Sequence, residues 1–247
     1  MSRYDYGHGH SYGFGYHSMT VAEKTAAARK QLARLRQENP GVQPVVIEGR
    51  KIAKTWWGKA WINNLESYAD YANRIGRGRS YVTNGMVLDL RITSGCINAV
   101  VAGSKNDPYH VSVSIARLAP PAWQEITAAC GKSIATIDLL LEGKFPPELE
   151  ELFTQQSGGL FPAPKEIKFT CSCPDWAYMC KHVAAVMYAA GARLDEDPLL
   201  FFTLRDIDFT ELLKKSVAEK MANMLKNSGQ KTRRVMAGAD IKDLFGV

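Results

Sequence analysis

The chain has 247 residues, with 31 Lys and Arg against 25 Asp and Glu for a formal charge of +6, and 46% of it is apolar. That apolar share excludes wholesale disorder, and the lack of any apolar run of about 18 residues excludes a membrane-spanning helix. The length suits one substantial domain, a small one and flanking tails.

The positive charge is unevenly spread. From Val21 to Ala60 nine Lys or Arg face three Glu, and from Lys214 to Arg234 seven face Glu219 alone, whereas Asp138 to Glu151 is acidic. Basic ends around a neutral middle suit a polyanionic partner.

Residues 1–19 interleave Tyr4, Tyr6, Tyr12, Phe14 and Tyr16 with glycine and histidine, too few apolar groups to offset backbone entropy, so a disordered tail is expected. With no apolar signal core there, the expected location is the cytoplasm, where thiols stay reduced. Residues 20–142 read as a basic helix followed by an α+β body. Thr20 caps a helix to about Glu38 with Val21, Ala28, Leu32 and Leu35 on one face. A short strand is expected at Val45–Ile47. Thr55 then caps a helix to about Asn73, along which Trp57, Trp61, Leu65, Tyr68 and Ala72 recur at helical spacing as a core stripe.

Arg74-Ile75-Gly76-Arg77-Gly78-Arg79 reads as a turn whose glycines admit a phosphate and whose arginines supply forked donors. Arg74, Arg77 and Arg79, with Lys51, Lys54 and Lys181, are the candidate nucleic-acid contacts. An antiparallel meander should follow. Ser80–Thr83 and Met86–Ile92 flank an Asn84-Gly85 hairpin turn, with Met86, Leu88, Leu90 and Ile92 facing one way. Cys96–Ala102 and Tyr109–Arg117 come next, Val111, Val113 and Ile115 inward and His110 outward. Helices are expected near Pro121–Cys130 and Ser133–Glu142. The Gly/Pro-rich stretch 143–164 reads as a connector with a short helix around Pro147–Gln155.

Residues 165–205 carry the sharpest signal. Ile167, Phe169, Cys171 and Cys173 alternate as on one face of a strand. Pro174-Asp175 turns the chain, and Cys180 and His182 follow. Positions two apart lie about 200° around a helix, so Cys180 must precede a helix that holds His182 in its first turn. That helix is expected to stop near Gly191. Three sulfurs and one imidazole fill a tetrahedral zinc shell and leave no open position, which makes the expected Zn²⁺ a single structural ion. Three thiolates and Zn²⁺ together lower the net charge to about +5. Leu199–Phe202 are expected beneath this knuckle, in a module with a core of its own. Residues 206–247 read as a helix, Phe209–Leu225, and a flexible basic tail ending in Asp243–Val247.

Cys-x-Cys, a spacer and Cys-x-His resemble the SWIM zinc finger, a strand-hairpin followed by a helix, from about Glu166 to Leu204, including Cys173-Pro174-Asp175-Trp176 and Cys180-Lys181-His182-Val183. The wider chain, roughly 40–213, is similar to a bacterial family of SWIM zinc finger proteins through Val45–Ala53, Trp56–Trp61 and Arg77–Tyr81. The resemblance implies DNA binding and protein–protein contacts, and association with DNA-translocating ATPases of the SWI/SNF helicase class.

No paired carboxylates of a glycosidase or nuclease and no phosphate-binding GxxxxGK[ST] loop occur. The expected function is therefore a non-enzymatic zinc-binding adaptor that holds nucleic acid, a SWI/SNF-class ATPase, or both. Two alternatives stand beside it: a purely protein-binding subunit of a larger assembly such as a transcription complex, and a nucleic-acid-processing enzyme with a concealed site.

Overall fold

A capping box opens the first helix of the computed structural model, which describes residues 19–49, 51–67, 72–103, 107–130, 134–155 and 158–228. The Thr20 hydroxyl accepts from the Glu23 N–H, and the Glu23 carboxylate accepts from the Thr20 N–H at 2.7 Å, starting α1 (Val21–Glu38). The helices α2 (Trp56–Glu66) and α3 (Ala72–Thr83) follow, then the strands β1 (Val87–Thr93), β2 (Cys96–Val101) and β3 (Tyr109–Ile115). Next come α4 (Pro120–Cys130), α5 (Ile134–Leu141), α6 (Glu150–Thr154), β4 (Ile167–Cys171), α7 (Lys181–Glu196), α8 (Leu200–Leu204) and α9 (Phe209–Ser228). The aromatic tail, Arg50, Tyr68 and the basic C-terminal tail lie outside the described residues. Among those described, no helix is long and apolar enough to cross a membrane.

The fold is α+β, an antiparallel meander in the order β1-β2-β3-β4 packed with helices. Its fourth strand is the one leading into the metal motif. Ile115 sits opposite Ile167 and Val111 opposite Cys171, so the metal segment shares a sheet with the body. The hydrophobic core is likewise continuous, running from Val45 through Val113 and Ile167 to Leu212. The separate core expected for the metal module does not form, because β4 is too short to bury a face except by joining β3.

α7 is the central layer. One side packs on all four strands and the other on α2 and α3, which buries every residue from His182 to Ala192. The expected stop at Gly191 is overturned for this reason. A Cβ there would lie 2.8 Å from the Trp61 ring, so glycine lets Trp61 reach the Met187 carbonyl, to which its Nε1 donates at 2.8 Å. Trp57 Nε1 donates to the Leu194 carbonyl at 3.0 Å. Asp195 then acts as a remote cap for α2, accepting from the backbone N–H of Lys54 and Thr55.

Several sequence expectations change. α2 ends at Glu66, and 74–79 is helix rather than turn, as is Ser80–Thr83. Asn84-Gly85 joins that helix to β1, with Gly85 at φ 70°, and makes no hairpin. Residues 43–45 run extended beside β1 through Val45 N–H to the Val87 carbonyl and Leu90 N–H to the Gln43 carbonyl, short of a strand. A bulge between Val87 and Asp89 reverses the alternation. Val87 and Leu90 therefore join the main core, while Met86 and Leu88 pack beneath Ala28 of α1. Val21 is left exposed. Phe201 and Phe202 do not underlie the knuckle; they join Trp61, Phe145, Phe153 and Phe161 in an aromatic cluster with ring centroids 4.8–6.4 Å apart.

The two glycines of the α3 tract differ sharply. A Cβ on Gly78 would lie 2.5 Å from the Ala184 Cβ and 2.8 Å from the backbone of α7, whereas one on Gly76 meets nothing within 4 Å. Gly78→Ala is expected to lower stability by about 1–3 kcal/mol through overpacking. Gly76→Ala is expected to raise it by up to about 1 kcal/mol through helix propensity. Urea denaturation of the two variants checks both signs.

Candidate metal centre

The end of one strand and the start of one helix make the site. β4 delivers Cys171, on the inward face with Val111. Its pairing continues one residue further, where Ser172 N–H donates to the His110 carbonyl and Ser172 Oγ accepts from His110 N–H. Cys173 begins the turn. Cys180 is the N-cap of α7, with φ −74° and ψ 170°, and His182 follows at the second helical position. The ligand atoms of Cys171, Cys173, Cys180 and His182 all lie within 4.8 Å of one another. The imidazole presents Nδ1, 3.9 Å from the sulfurs of both Cys171 and Cys180.

These distances suit zinc. Bonds of about 2.3 Å to sulfur and 2.0–2.1 Å to nitrogen give a tetrahedron with edges of about 3.5–3.8 Å, slightly tighter than the set seen here. Three thiolates and one neutral imidazole, with no fifth donor in the cluster among the described residues, form a closed shell, so the four side chains are positioned to bind one zinc ion in a structural role. Cys180 and His182 are buried; Cys171 and Cys173 are half-buried. Metal at Nδ1 assigns the proton to Nε2, which is buried with no hydrogen-bond acceptor among the described residues. Tyr109 and Tyr81 wall that ring at 4.5 and 5.5 Å between centroids.

Of the three thiols, Cys180 is the one held toward its thiolate form. Hydrogen bonding from Cys171, opposed by burial and reinforced by His182 and the Val183 N–H, holds Cys180 down to about 3. Its place at a helix N-terminus favours the same charge. The partner Cys171 is pushed up, chiefly by donating to that sulfur, and burial raises Cys173. A divalent ion at the centre would hold all three as thiolates.

The cationic candidates fall into distinct groups. Arg74 pairs with Asp175 in the knuckle. Arg79 pairs with Glu66 and lies 5.3 Å over the Tyr188 ring. The Tyr188 hydroxyl donates to Glu66 at 2.6 Å, and burial with that hydrogen bond pushes Tyr188 up to about 12. Arg79 thus belongs to a helix-locking cluster of α2, α3 and α7. Arg77 is exposed. Lys181, at the first position of α7, has its Nζ 5.2 Å from the centre of the Tyr81 ring. Lys51 and Lys54 line a cavity of about 330 Å³ with Glu48, Arg193, Asp195 and Glu196. That cavity adjoins the far end of α7, fourteen residues or about 21 Å of helix from Lys181. The six candidates therefore make no single surface, and the phosphate-cradling turn expected at 74–79 is replaced by a helix whose Gly78 serves close packing.

Three residues near the metal carry roles the sequence left unassigned. Asp175 ties the knuckle to α3, and Tyr81 and Tyr109 enclose His182. Nothing local marks the tyrosines, since α3 and β3 bring them in from outside the motif.

Residues 161–191 match the family model of the SWIM zinc finger, so the segment around these four ligands is a SWIM zinc finger. The chain is also similar to an uncharacterized protein of Mycobacterium tuberculosis, 34% identical over 163 residues. That match covers 66% of this chain and 58% of the mycobacterial protein, less than two thirds of the relative's length. No solved structure matches the chain.

Because β4 pairs with β3 and α7 packs on α3, the effect of losing metal should spread beyond the knuckle. Cys180→Ser is expected to abolish stoichiometric zinc and destabilise the protein by more than about 4 kcal/mol. Hydrogen exchange in β3 and α3 should rise along with that in β4. Metal analysis showing unchanged zinc, or exchange confined to residues after 165, would contradict this linkage.

Proposed function

We propose that the chain is a non-enzymatic adaptor in which a zinc-braced knuckle presents a cationic edge to nucleic acid and, beside it, a binding surface for a translocating ATPase of the SWI/SNF class. The observation that supports this reading is the company the knuckle keeps. α3, running alongside, holds Arg74 and Arg77 and no acidic residue between Ala72 and Thr83, and Lys181 opens α7. The nearby Asp175 is taken up by Arg74. A filled zinc shell offers no site for activating water, which favours binding over hydrolysis. Five unpaired cysteines fit a reducing compartment such as the cytoplasm.

Phosphate contacts of this kind give weak sequence preference and strong salt dependence. Of the six candidates, Arg77 and Lys181 are the ones beside the knuckle with no carboxylate partner among the described residues. Lys51 and Lys54 would serve a second contact at the other end of α7.

A second reading, a protein-binding subunit, draws on α9. Val217, Met221 and Met224 are exposed at a spacing that puts them along one face, as an amphipathic docking helix would present them. This face also suits the ATPase half of the first reading.

Fluorescence anisotropy with a labelled oligonucleotide should show binding at low salt that weakens steeply toward physiological salt. Arg77→Glu and Lys181→Glu should each weaken it several-fold or more, on the order of 1 kcal/mol per lost phosphate contact, while Arg79→Gln, already committed to Glu66, should not. Absence of binding at every salt concentration removes the nucleic-acid half. Affinity purification of the chain from its own cells should recover a translocating ATPase, and repeated failure to do so removes that half.

A further inference from the structure

Among the described residues no large apolar side chain is more exposed than Trp176, at 93%. Its neighbours, in contrast, are fastened. Metal ligands stand three residues before it and four after, at Cys173 and Cys180. Asp175, immediately before it, accepts from Arg74 and, at 3.2 Å, from the Ala177 N–H. Tyr178, two residues on, packs its ring against Phe169 at 5.2 Å and donates its hydroxyl to the Ile167 carbonyl at 3.0 Å. The indole is thus held out from a braced turn, and ordering it costs a partner little entropy.

The surroundings of this ring select the partner. A protein hot spot needs a continuous rim of apolar contacts that excludes water, yet beyond Pro174 and the half-exposed Tyr178 the flanks here are ionic. Arg74 and Arg77 lie one turn apart on α3, Lys181 follows at the start of α7, and Lys168 is exposed on β4. Asp175 is neutralised by its own arginine. A flat aromatic ring in a cationic setting matches a polyanion that exposes aromatic faces. Unpaired bases on a phosphate backbone have that chemistry, and duplex bases, stacked on both faces, do not.

We propose that Trp176 is a base-stacking platform through which the zinc finger grips single-stranded nucleic acid, with Arg77 and Lys181 meeting the phosphates on either side. This rests on the nucleic-acid reading above and narrows it to strands with unpaired bases. The site is the rigid tip of the knuckle and leaves the metal shell untouched.

The test uses the zinc-loaded chain, labelled oligo(dT) and oligo(rU) of about 16 nucleotides, within the range of known single-strand sites, and a duplex of the same length. Trp176→Ala is expected to weaken binding to at least one of the single strands about 10-fold, a typical loss for one stacked base, with little change in the salt slope. Trp176→Phe, which keeps a ring, should stay within about 3-fold of the parent. Duplex binding by the alanine variant should change less than about 2-fold. Zinc content equal to the parent's confirms that the finger is intact. Unchanged affinity of Trp176→Ala for both single strands, or an equal loss on the duplex, overturns the stacking role and leaves the adaptor reading standing. If the parent chain binds none of the three probes at low salt, both fall together.

Discussion

The main core of this protein is arranged around the enclosure of α7. A helix buried from His182 to Ala192 must meet neighbours on every side, and most of those residues are small for that reason. The closest neighbours approach through glycine: Gly78 against Ala184 and Ala185, and Gly58 against Asp195. α7 itself thins at Gly191 to receive Trp61. Interiors packed to this density transmit displacement and tolerate little added volume. A ligand set mounted on the first turn of such a helix inherits its rigidity.

The zinc finger is consequently an outgrowth of the main core. In an isolated finger, metal binding supplies on the order of 10 kcal/mol or more and is itself the folding free energy. Here the same ion joins the last strand of a sheet to the central helix of a larger body, and hydrophobic burial from Val45 to Leu212 carries much of the stability. The metal closes the turn between Cys173 and Cys180, and through the pairing of β4 with β3 and the packing of α7 on α3 its hold extends into the body. An edge strand left open invites non-native pairing, and Tyr178, bonded to the Ile167 carbonyl, helps to cover it.

Charge is sorted by the same architecture. Arginines that look equivalent in sequence receive different partners once α3 forms. One helical face sets Arg79 over Tyr188 beside Glu66, the adjoining edge sets Arg74 on Asp175, and Arg77 is left in solvent. Partly exposed pairs of this sort contribute little to stability; their effect is to fix where the helices and the knuckle sit. Among the described residues, what remains exposed beside the metal includes the cations Arg77 and Lys168 and two aromatic rings, Trp176 and the half-exposed Tyr178.

The sequence by itself determined the metal shell, the caps and the three consecutive strands β1 to β3. These follow from local rules: a ligand spacing that only one strand–turn–helix geometry satisfies, hydroxyl caps at Thr20 and Thr55, and the alternation of Val111, Val113 and Ile115. Tertiary structure decided the matters that depend on what lies opposite. Gly78 reads as a flexible turn until α7 is known to lie against it, and Gly191 reads as a helix stop until Trp61 needs the room. The bulge after Val87 is invisible because a single extra residue leaves composition unchanged while reversing every side chain beyond it. Phe201 and Phe202 went to Trp61 and Phe145 because apolar surface has no address in sequence; it is buried wherever the closed fold leaves space.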